Sequence, residues 1–302
     1  MNLQGLEKIR SKVKALEAMP TVPGIVHPLI SMLQLPVEQV DIKKIVELVS
    51  YDEMIAAQCL RMANSPLFGR RNSETIQSAV LALGLKRVEA ILLGCCLNVV
   101  VPPDKWAIEA VIFWRHSLGC ALITRKMARI IGYPDPEKAY LAGLLHDLGI
   151  LVNTLVCTEE FRACIQSAVG RRTALHRSEE ERLGFTHCDS GKMLAEYWHF
   201  SADVIAAIEF HHNVAAAPTA QDLVALVHLS DLLCRLRDLG YGYYEAMGVD
   251  LAGDAAWATL VEHYPTLANM DLARLTMDID GAMEEIVAIV DAIFKPDKVL
   301  AH

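Results

Sequence analysis

An all-α fold is what this sequence predicts, on three observations. Apolar residues recur at helical spacing almost everywhere; alternating period-two runs bounded by turn residues are nearly absent; and capping residues, prolines and glycines fall where helices should start and stop. In the first clear element, 41–50, Asp41 stands at the N-cap, and Ile42, Ile45, Val46 and Val49 form an i, i+3, i+4, i+7 stripe. Asp52 is placed to cap the next helix, which runs through Ala56, Leu60 and Met62. It should stop at Asn64-Ser65-Pro66, because a residue preceding proline is pushed out of the α region. Ser73 is expected to open a third helix, with Ile76, Val80 and Leu83 on one face and Gly84 at its end.

The Pro-containing stretch VPPDK at 101–105 marks the clearest internal boundary, and a second helical block starts near Trp106. Around 238–254 glycines and tyrosines interrupt the helical pattern. We therefore expect an N-terminal helical part over 1–105, a domain over 106–237 that carries nearly all the candidate chemistry, and a helical C-terminal appendage over 238–302. VPPDK is too short for a free tether, so the first two parts are expected to pack as one unit.

Composition narrows the function. The chain has 302 residues, 53% hydrophobic and 22% charged, which excludes a disordered or collagen-like protein. With 28 Lys+Arg against 37 Asp+Glu it carries a formal charge of -9, so the electrostatic footprint of a nucleic-acid binder is missing. The 8 cysteines include no C-x-x-C pair and the N-terminus is charged rather than signal-like, which reads as reduced core thiols in a cytoplasmic protein. The longest uncharged apolar runs, 90–103 and 148–158, fall short of the roughly 18 residues that span a bilayer. We expect neither a nucleic acid nor a membrane as partner.

The chemistry lies in an ordered set: His116, His146-Asp147, His187, His211-His212 and Asp231. Imidazole nitrogen with carboxylate oxygen suits divalent iron, manganese, nickel or zinc better than calcium or magnesium, and helical bundles build such sites in their interiors. Consecutive helical residues point about 100° apart, so His146 and Asp147 cannot share one face. They converge on one centre only if a helix approaches it end-on, or if Asp147 bridges two ions and His146 binds one. Each residue also has a plainer role. His116 alone fits a hydrogen-bonded core histidine, Asp147 an N-cap, His211-His212 a solvated helix end, and Asp231 a surface residue or ion-pair partner. No phosphate loop, nucleophile elbow or H-E-x-x-H helix is found. Cys188, next to His187, reads as a buried structural thiol before a redox-sensitive one.

The order H…HD…H…HH…D on a helical chain resembles the HD superfamily of metal-dependent phosphohydrolases, in its two-metal branch. A narrower resemblance lies in LEAMPTVPGIV, YDEMIAAQCLRMANSPLFG, SAVLALGLKRVEAILL, FWRHSLGCALITRKMA, AYLAGLLHDLGIL and HCDSGKMLAEYWHF, which are similar to the HDOD family, the output domain of bacterial signalling proteins. It covers about residues 14–235. The resemblance implies a multi-helix HD-like bundle and two divalent transition-metal ions, iron or manganese before zinc or nickel. It further implies one metal position from His116, His146, Asp147 and Asp231, a second from His187, His211 and His212, and Asp147 as the bridge. A signalling-protein partner is implied as well.

Two departures bear on activity. Relatives that cleave cyclic dinucleotides show H-D-x-G-K, where this chain has Ile150 in place of the lysine, and a GYP-containing signature after the paired histidines, where this chain reads Asn213-Val214. Substrate phosphate would then rely on the metals or on Arg115, Arg177 or Lys192, each of which is by default a solvated surface charge. The expectation is an HDOD-type signalling module with a dinuclear metal site. The alternative is an active phosphohydrolase or phosphodiesterase acting on nucleotides or cyclic dinucleotides.

Overall fold

The computed structural model of the chain describes residues 41–50, 75–84, 105–237, 239–241, 252–269 and 277–281, and besides these Leu60, Ala63, Asn64, Ser73, Val88, Asp250, Met283, Glu284, Ile286 and Val287. Every regular element among the described residues is helical. They fall into two compact units, one within 105–283, the other holding the residues between 41 and 88 together with 284–287.

In the second of these units, α1 (Ile42–Ser50) buries Ile45 and Val49. Asp41 does act at its start, its Oδ1 accepting from the Lys43 amide at 2.9 Å. Helix α2 (Ile76–Leu83) buries Ala79, Val80 and Leu83 and stops at Gly84 as its sequence implies. Its cap is Thr75, which forms a capping box with Ser78, and not Ser73. Ser73 is engaged elsewhere: its backbone N–H and C=O are both taken by the Asn64 side chain, at 2.7 and 3.1 Å. Leu60 and Ala63 are helical and Asn64 is a turn, so a helix ends where Asn64-Ser65-Pro66 requires. The rest of that helix, and VPPDK apart from Lys105, lie outside the described residues.

The larger unit is built around α3 (Ala110–Ile131), whose run Ser117 to Arg125 is buried without a break, the mark of a helix enclosed on all sides. It ends on Gly132 at φ 79°, a left-handed cap that glycine adopts without steric cost. Asp135 then caps α4 (Pro136–Leu145), with Pro136 in its first turn. Helix α5 (Leu148–Val156), α6 (Thr158–Arg171), α7 (Leu175–Leu183), α8 (His187–Tyr197) and α9 (Ala202–Phe210) follow. A 3₁₀ turn at Val214–Ala216 leads to α10 (Gln221–Leu236) and α11 (Ala255–His263). Helices α4 and α10 pack on α3, α8 packs on α5, α9 bridges α8 and α10, and α11 lies on α10.

Contact between α5 and α8 is made possible by glycine. A Cβ on Gly149 would lie 1.7 Å from the His187 carbonyl oxygen, and one on Gly191 would lie 2.9 Å from the Gly149 nitrogen, so the two backbones touch where the site is assembled. Among the described residues one apolar stretch, Pro136–Val156, is long enough to cross a membrane. It is 83% buried inside the protein, as a core segment is, and is broken at His146-Asp147. The described cysteines, Cys120, Cys157, Cys164, Cys188 and Cys234, are free and buried.

Candidate metal centre

Local backbone explains how a His-Asp dipeptide serves one centre. Helix α4 ends at His146 and α5 begins after Asp147, whose φ of -98° and ψ of 20° turn the chain between them. Asp147 occupies the N-cap position of α5, yet its side chain makes no capping bond. The carboxylate points at histidines instead. A matching turn closes α9, placing His211 and His212 at its C-terminal end. His116 comes from the middle of α3, Asp231 from the middle of α10, and His187 from the first turn of α8, which the Thr186–Asp189 capping box starts. His116, His146, Asp147, His187, His211 and Asp231 are all 3% exposed or less. Asp147 makes no capping bond, and His211 and Asp231 are not at the surface; His116 is a hydrogen-bonded core histidine and Asp231 an ion-pair partner, roles compatible with a place in this cluster, and His212 is partly exposed.

The two oxygens of Asp147 divide the histidines. Oδ2 faces Nε2 of His146 at 3.1 Å and Nε2 of His116 at 3.5 Å, and His116 Nε2 also lies 3.2 Å from Asp231 Oδ1. Oδ1 faces Nε2 of His187 at 3.3 Å and Nε2 of His211 at 3.5 Å, with His212 Nε2 3.1 Å from that of His187. The sequence-predicted ligands are thus brought together as two sets that share one carboxylate.

Ring orientation shows what the sets can hold. The far nitrogen, Nδ1, of His116 donates to the Leu239 carbonyl at 2.7 Å, that of His146 to Gly143 at 2.8 Å, and that of His211 to Ile208 at 2.9 Å. His187 donates its Nδ1–H to Glu179 at 2.6 Å. Such bonds fix the imidazole so that the Nε2 lone pair aims inward, the arrangement by which a protein orients metal-ligating histidines. The interior is then rich in acceptors and short of donors: Tyr241 and Arg235 each supply one, yet His211 Nε2 and Asp231 Oδ1 are buried and make no hydrogen bond. A buried acceptor cluster requires cations, either protons or metal ions. Nitrogen and carboxylate donors in these numbers fit a pair of divalent transition ions.

Without metal, protons take that place. Burial by itself would lower the pKa of His116, His146 and His211. The Asp147 and Asp231 carboxylates facing His116 overcome this and raise it to about 10, Asp147 above all raises His146 to about 9, and Cys188 with Asp147 raises His211 to about 10. His187, beside Glu179, moves in the same direction. Burial also opposes ionisation of Asp147, but His146, His116 and His211 hold its carboxyl well below the usual range. Raised histidine values mean that this proton-linked stability is complete below the ordinary value of 6.5 and fades as pH rises through about 9 to 10. Metal entering at neutral pH must therefore displace protons. Calorimetry of manganese binding at pH 7 in buffers of different ionisation enthalpy should show proton release and an affinity that climbs toward pH 9. A buffer-independent heat would contradict this.

The cations proposed for phosphate have varied settings. Lys192 is paired with Glu209 at 2.7 Å, Arg177 is exposed, and Arg115 is partly exposed on α3. Ile150, at the lysine position, is fully buried. Cys188 lies 3.9 Å from Nδ1 of His211, on the side of that ring away from Asp147, and its neighbours His211 and His187 outweigh burial to lower its pKa to about 6.

Sequence reasoning missed several supporting residues. Glu179, fully buried, accepts from both the Nδ1 and the backbone N–H of His187, and from Asn153. Arg235 donates to Asp231 Oδ2, four residues back on α10, a spacing legible as a helical ion pair. His228 donates to the His211 carbonyl at 2.6 Å. The His176 ring stacks on His212 with centroids 4.3 Å apart. Tyr241 donates its hydroxyl to Asp147 Oδ2 at 2.7 Å.

Comparison with known proteins bears on this arrangement. The HDOD domain family matches residues 19–214. An uncharacterized protein of Treponema pallidum is 27% identical over 208 residues, which are 66% of this chain and 39% of that protein, so the chain spans well under half of its relative. The crystal structure of an HDOD domain protein of unknown function from Geobacter sulfurreducens superposes with a TM-score of 0.80 at 27% identity, covering 97% of this chain and 99% of the other. A Shewanella amazonensis protein provisionally described as a phosphohydrolase shares the fold, with a TM-score of 0.69 at 21% identity over 93% of this chain and 97% of its own. A Marinobacter aquaeolei protein provisionally described as a signal transduction protein does so too, with a TM-score of 0.71 at 22% identity over 93% of this chain and 60% of that one.

Proposed function

This chain belongs to the HDOD family, and from that premise we propose that it is a signalling interaction module whose helical core is tied together by two divalent transition-metal ions, iron or manganese before zinc or nickel. The observation that carries this reading is the burial of the ligand set: six of its residues, from six different helices or helix ends, are 3% exposed or less. Ions held there would cross-link α3, α4, α5, α8, α9 and α10. Their arrival or loss would change the stability of the whole bundle, which is what a sensor coupled to a protein partner requires. The partner is proposed as another signalling protein, and the setting as the cytoplasm.

A second reading, a metal-dependent phosphohydrolase, draws on one specific observation: the split of Asp147 between two histidine sets, the form a two-ion site takes. A divalent pair supplies Lewis acidity. The chain's own residues would orient it through Glu179 and Arg235, and a small phosphoester would approach beside the partly exposed His212. What is missing is a cation for the outer phosphate oxygens at position 150, where Ile150 is fully buried. Loss of one such electrostatic donor costs about 10²–10³ in rate. Fully metallated protein is therefore expected to leave a cyclic dinucleotide intact in a chromatographic assay. Robust turnover would overturn the module reading and install the enzyme.

A further inference from the structure

Residues 239–241 come three positions after the end of α10, lie beyond the residues matched by the family, and reach back into the centre twice. The Leu239 carbonyl accepts from His116 Nδ1 at 2.7 Å, and the Tyr241 hydroxyl donates to Asp147 Oδ2 at 2.7 Å. Both contacts fall on one side. Oδ2 is the oxygen turned toward His116 and His146, while the oxygen turned toward His187 and His211 is Oδ1. The phenol ring is itself fixed, its centroid 4.4 Å from that of His116 and stacked over Phe113 at 6.2 Å.

We propose that Tyr241 is a positioning residue for the first metal position alone: its hydroxyl locks the Oδ2 side of the bridging carboxylate, so that docking of segment 239–241 and occupancy of the His116/His146/Asp231 position are linked. This rests on the metal-centre reading. The physical reason is that a carboxylate oxygen has two lone pairs. A donor that occupies one leaves the other directed at the His116 and His146 side, and loss of such an outer partner typically costs about 10–100-fold in metal affinity. The second position has its own outer partner in Glu179 behind His187, so it does not depend on the tyrosine.

The test uses the full chain and manganese(II) alone, titrated against a chromophoric chelator. Tyr241→Phe keeps the ring packing and removes only the hydroxyl. On a His212→Ala background, where the second position is crippled, Tyr241→Phe should weaken the remaining equivalent about 10–100-fold. On a His146→Ala background, which cripples the first position but leaves the His116 contacts of Leu239 and Tyr241 in place, it should change nothing. Deuterium uptake at 239–241 should slow when manganese is added to the wild type, and slow less in Tyr241→Phe. Equal effects of Tyr241→Phe on both backgrounds, no effect on either, or uptake at 239–241 that ignores manganese would each overturn the proposal. A wild-type chain that takes up no manganese would instead sink the metal-centre reading on which it stands.

Discussion

Asp147→Ala should cost the protein both of its metal ions, whereas His187→Ala should cost one. The difference follows from the division of the carboxylate, Oδ2 toward His146 and His116, Oδ1 toward His187 and His211. Removing His187 takes one donor from one set. Removing Asp147 takes a donor from each, and also takes away the negative charge that keeps a cluster of buried imidazoles tolerable beside cations. Elemental analysis of the purified variants, with chelator competition, is expected to give near-zero occupancy for Asp147→Ala and about half the wild-type content for His187→Ala. Equal losses would remove the case for a shared bridge.

Gly149→Ala is expected to be the most damaging single-methyl substitution in the unit. The added carbon would stand 1.7 Å from the His187 carbonyl oxygen and 2.6 Å from its carbonyl carbon, and these are backbone atoms that cannot rotate away. Either α5 or α8 must move, and with it Asp147 or His187, since each lies within two residues of the contact. Overpacking of this kind costs about 1–3 kcal/mol and more where backbone is the obstacle, so about 3 kcal/mol or greater is expected from urea unfolding, together with impaired metal uptake. Gly170→Ala in α6 is the control: nothing lies within 4 Å of its added Cβ, and the substitution should stabilise by about 0.5–1 kcal/mol. A neutral Gly149→Ala would mean that the two helices do not approach as described.

How far these features could be read from the sequence depends on the range of the interaction that creates them. Asp41 caps α1 and Gly84 ends α2 because both effects act within a turn of the backbone, and the sequence carries them openly. Thr75 displaced Ser73 as a cap because Asn64, nine residues earlier, takes up the Ser73 backbone, a pairing with no local signature. The ligand set was legible as residue types in a characteristic order. Its geometry was not: a helix approaching end-on and a bridging Asp147 both fit the sequence, and only the fold shows the chain breaking at His146-Asp147 and turning the dipeptide inward. Glu179 sits in the charged run Ser178-Glu179-Glu180-Glu181-Arg182, where nothing distinguishes the one buried glutamate from its exposed neighbours. Only the packing of α7 against the start of α8 selects it. Tyr241 is still further from any local rule, since its partner Asp147 lies 94 residues away.

Metal content measures the central claim most directly. Protein purified without chelator, or reconstituted anaerobically with iron or manganese after chelation, should carry about two ions per chain by elemental analysis, the number a carboxylate-bridged pair requires. In the manganese-loaded form the two ions should be magnetically coupled, as a shared carboxylate demands. A chain that holds no metal after either treatment would show that protons alone satisfy the buried cluster, and would contradict the account.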